Sequence, residues 1–88
     1  MAKQYKVSIR VISQKGTCEV GHRTGDEWII ENETPAGLCP FAFHNIYPLV
    51  TPLMFGGSFP WEADPDATTA ACPDAENPVV FELRRLHD

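Results

Sequence analysis

Three cysteines and one histidine stand outside the apolar runs of this chain: Cys18 and His22 in a glycine-punctuated stretch, Cys39 beside Pro40, and Cys72 beside Pro73. Thiolate sulfur and imidazole nitrogen are donors for a tetrahedral zinc ion, and three cysteines with one histidine is a standard composition of such sites. Cys18-Glu19-Val20-Gly21-His22 is a Cys-x3-His pair, close enough along the chain for both side chains to reach one ion, with Gly21 free to make the turn. No Cys-x2-Cys pair accompanies it, so the spacing is not that of a zinc finger, and soft sulfur ligands would also suit Cu(I) or an iron centre. The expectation is one thiophilic metal ion, zinc first, held by Cys18, His22, Cys39 and Cys72. Four protein ligands leave no open position for water or substrate, which makes such a metal mainly structural. Cys72, on the longest loop, is then the ligand expected to come off first.

Two other readings use the same residues differently. Cys39 precedes Pro40 at an expected helix start, where unpaired backbone N–H groups and the positive end of the dipole stabilise a thiolate. That would suit a thiol or redox enzyme with Cys39 as nucleophile, activated by His22 or His44. Alternatively, the cysteines are small packed hydrophobes, and the chain is a non-catalytic interaction module presenting Phe59, Trp61 and an acidic loop to a basic partner. His44 is a poor co-ligand for Cys39: five helical residues at about 100° each put the two roughly 140° apart. Its expected place is half-buried on the helix, hydrogen-bonded to a neighbour, and His87 lies in the tail with no role assigned. Gly16, Gly21 and Gly25 serve turns, because no Gly-Lys-Ser/Thr follows to make a phosphate cradle. Asp26 and Asp74 are expected to form turns in preference to supporting a ligand.

Composition narrows the classes. An 88-residue chain with 43% hydrophobic and 22% charged residues makes one globular domain, 1–88, with one modest core. A net charge of −5 argues against a nucleic-acid partner, which would need clustered Lys and Arg. The start Met1-Ala2-Lys3-Gln4-Tyr5-Lys6 carries no signal-peptide apolar region, and no apolar run is long enough to span a bilayer. The expected location is the cytoplasm, with no membrane partner. In a reducing cytosol, an odd count of three cysteines reads as ligands or reactive thiols rather than as a disulfide framework.

These residues need elements to position them. Tyr5, Val7, Ile9 and Val11 alternate with polar neighbours, the period of a half-buried strand. Glu27-Trp28-Ile29-Ile30-Glu31 reads as a second strand, closed by Asn32 and Thr34-Pro35. Leu38, Ala42, Ile46, Leu49/Val50 and Leu53 recur at helical spacing, with the helix starting near Pro40 and kinked or broken at Pro48 and Pro52. Val79, Phe81 and Leu83 alternate as a final strand that pairs with the first. Between Phe55 and Asn77 no period is visible, and Phe59-Pro60-Trp61 is expected to anchor that segment by packing rather than to stack on a ligand. The fold class is α+β: a small antiparallel sheet or partly closed barrel of three or more strands, with one proline-broken helix against it.

The ordered landmarks Cys18-x-x-Gly21-His22-x-x-Gly25-Asp26, Gly37-Leu38-Cys39-Pro40, Tyr47-Pro48, Gly56-Gly57, Pro60-Trp61, Cys72-Pro73-Asp74 and Val79-Val80-Phe81 cover nearly the whole chain. In these the chain resembles a family of small, uncharacterised prokaryotic proteins of about this length. The resemblance implies a free-standing domain and carries no activity, substrate or cofactor with it.

Overall fold

The computed structural model describes residues 4–87; Met1–Lys3, the first part of the stretch read for a targeting signal, and Asp88 lie outside the described residues. The chain forms β1 (Val7–Gln14), β2 (Glu27–Ile30), α1 (Pro40–Met54), β3 (Ala67–Ala71) and β4 (Val79–Arg85). The four strands make one antiparallel sheet in the order β2-β1-β4-β3, open at both edges rather than closed into a barrel. The first and last strands pair as expected, with Val7 opposite Arg85 and Val11 opposite Phe81. Beyond Val11 the register shifts by one residue, and Ile12 is the extra residue of the bulge.

Period two explains the core. Val7, Ile9 and Val11 of β1 and Val79, Phe81 and Leu83 of β4 are buried, and Ala42, Ile46, Val50, Leu53 and Met54 of α1 cover them. Burying a side chain of this size contributes about 1.5–3 kcal/mol, so this helix-on-sheet layer is the main source of stability. The helix is not broken at its prolines but runs through both Pro48 and Pro52. Each proline removes one N–H from the ladder, yet the two stand four residues apart, with Pro48 exposed and Pro52 half-buried. The carbonyls they orphan thus lie on the side away from the sheet, where water can satisfy them. Among the described residues, no helix is long and apolar enough to cross a membrane.

The segment without a visible period contains β3, an edge strand of sequence Ala-Thr-Thr-Ala-Ala. Thr68 is buried; its hydroxyl donates to Glu62 Oε2 at 2.8 Å and accepts from Trp61 Nε1 at 3.4 Å. Phe59 packs against the core as an anchor, whereas Trp61 is 65% exposed and lies against Phe59 with ring centroids 4.9 Å apart.

Arg85, in the core-facing phase of β4 and 7% exposed, holds this segment to the helix. Its guanidinium donates to the carbonyls of Leu53 (3.0 Å), Gly57 (2.8 Å) and Pro65 (2.8 Å), and to Asp66 Oδ1 at 3.0 Å. His87 Nε2 reaches the same Asp66 oxygen at 2.9 Å. Hydrogen bonds from His87 and then Arg85 hold the Asp66 carboxyl below its usual range. The Asp66 backbone N–H and then Arg84 do the same for Asp64.

A folded-state value below the unfolded one means stabilisation that is complete above about pH 4 and is lost as pH falls through the folded-state value. Urea midpoints are therefore expected to hold steady from neutral pH to about 5 and then decline on acidification, with Asp66→Asn flattening the decline. A wild-type midpoint unchanged down to about pH 2–3 would show that these contacts carry no stability.

Candidate functional site

The loop between β1 and β2, the start of α1, and the turn between β3 and β4 meet over one end of the sheet. They line an open cavity of about 320 Å³ whose wall includes Cys18, His22, Cys39 and Cys72. Segments 54 residues apart in the chain, by the difference between positions 18 and 72, are thus brought to one place by the fold. His44 is exposed on α1 and does not line this cavity. All three cysteines are free and half-buried.

Cys39 is the N-cap of α1, with Pro40 in the first turn. Its φ of −55° and ψ of 130° are the extended geometry that a following proline imposes. Its side chain makes no capping bond. Its own N–H donates to His22 Nε2 at 3.0 Å. His22 is 5% exposed and stands edge-on to Trp28, with centroids 4.8 Å apart. An imidazole nitrogen that accepts a hydrogen bond bears no proton, so neutral His22 carries its proton on Nδ1.

Cys18 sits in the turn closed by Gly21 N–H donating to its carbonyl at 2.9 Å. Cys72 is held at the sheet end, where its N–H donates to Val79 O at 3.0 Å and its sulfur accepts the Val79 N–H at 3.3 Å. Asn77 joins two of the loops: its Oδ1 accepts the Thr17 N–H at 2.9 Å, and its Nδ2 donates to Asp74 Oδ2 at 3.2 Å. Gly16, at φ +67°, lies against this carboxamide, and a side chain there would collide with it. The Asn77 side chain and then its N–H, followed by the Glu76 N–H, hold the Asp74 carboxyl below its usual range. Asp74 and Asp26 both form turns, as their sequence context suggests; Asp26 Oδ2 accepts the Arg23 N–H at 2.9 Å. Asn77 had no distinguishing motif in the sequence beyond its place before Pro78.

Lining one cavity is a weaker condition than ligation. Among the described residues, no group of three His, Cys, Asp or Glu side chains is placed so that it could hold a metal ion. Zinc–sulfur bonds are about 2.3 Å long, so metal binding here requires the three cysteine sulfurs to draw closer together than they stand. No family model, no curated protein and no solved structure matches the chain.

Proposed function

We propose that the cavity binds one thiophilic metal ion, zinc first, with the thiolates of Cys18, Cys39 and Cys72 as ligands. The observation that carries this reading is the gathering of three free cysteines, from three separate segments, around one cavity. The N–H that Val79 directs at Cys72 Sγ is a further support, since hydrogen bonds to sulfur stabilise and tune metal-bound thiolates. His22 completes the expected set only by giving up the Cys39 N–H. The reading accounts for three thiols at once, whereas a lone nucleophile at Cys39 leaves Cys18 and Cys72 without a task.

Alkylation kinetics separate the two. Metal-bound thiolates are expected to be protected together and to become reactive together on addition of a strong chelator. A nucleophilic Cys39 would instead react much faster than the other two before any chelator is added. Three slow thiols, indifferent to chelator in folded protein, would defeat both readings and leave packed cysteines.

A further inference from the structure

We infer that the protein associates with a second copy of itself, as a two-fold dimer, through the free edge of β3 and the adjoining flank of α1. This goes beyond the metal reading and does not depend on it. Residues 34–61 contain no Asp, Glu, Lys or Arg, although such residues make up 22% of the chain. All of α1 falls in that stretch. A surface helix ordinarily carries charge on its wet face, and a helix that lacks it on every side is one that packs on every side. Phe41, Asn45, Pro48 and Pro52 recur at spacings of four and three residues and so share one flank of α1. Asn45 Nδ2 donates to Ala71 O at 3.1 Å, which sets that flank beside β3. Phe41 is 71% exposed, and Asn45 and Pro48 are exposed with it.

β3 continues this uncharged surface as an unguarded edge. It has no charge, proline or bulge, the devices by which edge strands avoid new partners. Asp66 O accepts the Arg85 N–H at 2.7 Å and the Cys72 N–H donates to Val79 O at 3.0 Å, so the alternation of an antiparallel ladder turns the backbone groups of Ala67, Thr69 and Ala71 away from β4. Two of those groups are taken, the Ala67 N–H by Asp64 O at 3.4 Å and Ala71 O by Asn45. Among the described residues, the Thr69 N–H and C=O, the Ala71 N–H and the Ala67 C=O have no protein partner. This remainder is self-complementary. About a two-fold axis at Thr69, the two Thr69 residues exchange both of their bonds, and each Ala71 N–H meets the Ala67 carbonyl of the second copy.

The same axis seats the helices. α1 packs most closely on β3 and β4, and neighbouring strands lie about 4.8 Å apart, so α1 and its two-fold mate would stand about 10 Å apart, the packing distance of helices. Charge selects the occupant. A net charge of −5 opposes self-association through any face that bears it, but β3 and α1 carry no Asp, Glu, Lys or Arg, and the same −5 disfavours an anionic lipid surface. Trp61, 65% exposed with its Nε1 on the Thr68 hydroxyl, stands at this edge as an aromatic anchor. Glu62 ends the uncharged stretch and is tied to the same hydroxyl.

The test is sedimentation of the full chain from about 1 to 300 µM, with reductant present so that no intermolecular disulfide contributes. The wild type is expected to reach the mass of two chains and to dissociate on dilution, with exchange of the Thr69 and Ala71 amides slowing as the dimer forms. Thr69→Lys sets two like charges directly opposite each other across the axis, and Pro48→Glu sets two carboxylates between the helices; each is expected to weaken the dimer by about tenfold or more. Pro48→Glu also removes a proline from a helix interior, so its single chain is expected to be no less stable than wild type, and it decides alone if Thr69→Lys does not fold. A single-chain mass at 300 µM overturns the inference, and a shift of Trp61 emission on neutral phosphatidylcholine vesicles would then assign the face to lipid. A dimer that either folded variant leaves intact overturns it as well, because the contact then lies elsewhere.

Discussion

Replacing Arg85 with Met is expected to destabilise the protein by about 3–5 kcal/mol, a large part of what a domain of this size possesses. The guanidinium is 7% exposed and has four acceptors: three carbonyls and the Asp66 carboxylate. Methionine fills a similar volume but donates to none of them, leaving the Gly57 and Pro65 carbonyls in the loop before β3 without this donor at about 1–3 kcal/mol for each one kept from water, while the Leu53 carbonyl keeps the Gly56 N–H at 3.4 Å. Lysine would retain the charge but not the planar fork, so Arg85→Lys is expected to fall between wild type and Arg85→Met. Chemical denaturation checks the order. A loss below about 1 kcal/mol in Arg85→Met would mean that water replaces the guanidinium at little cost.

The second large effect is expected at the cavity. With free zinc at a thousand times the dissociation constant, binding would stabilise the folded chain by about 4 kcal/mol, and a strong chelator would remove that amount. The sheet and α1 have a core of their own, so chelation is expected to lower the unfolding midpoint and loosen the three cysteine-bearing segments first. Cys18→Ser, Cys39→Ser and Cys72→Ser should each weaken metal binding by more than about 100-fold, beyond the range typical of residues that only support a ligand. Three variants with unaltered zinc affinity would remove the cysteines from the site.

Much of this architecture is legible in the sequence because its signals are local. Alternation in β1 and β4 and the spacing of Ala42, Ile46, Val50 and Leu53 report directly on which faces are buried. Pro40 marks the helix start, and Cys39 is its N-cap. No alternation marks β3, because alanine and threonine give little apolar contrast, and an edge strand takes its order from β4. Continuity of α1 through Pro48 and Pro52 depends on which side of the helix faces the sheet, a tertiary fact. Arg85 did leave a trace: it continues the inward phase of Val79, Phe81 and Leu83, and a charge in that phase signals a buried partner set. Cys18, His22, Cys39 and Cys72 share one cavity because the segments that carry them meet at one end of the sheet, which their placement at loops and a helix cap allows but does not dictate. The bond between His22 and the Cys39 backbone could not be read, since it depends on how two distant loops pack.

The most direct test of the metal reading is the metal content of the protein purified without added metal or chelator, measured by elemental analysis together with native mass. The expected result is about one thiophilic ion per chain, zinc first, that a strong chelator removes and that does not rebind once Cys18, Cys39 and Cys72 are alkylated. Folded, metal-free protein that also fails to take up zinc when it is supplied would contradict it.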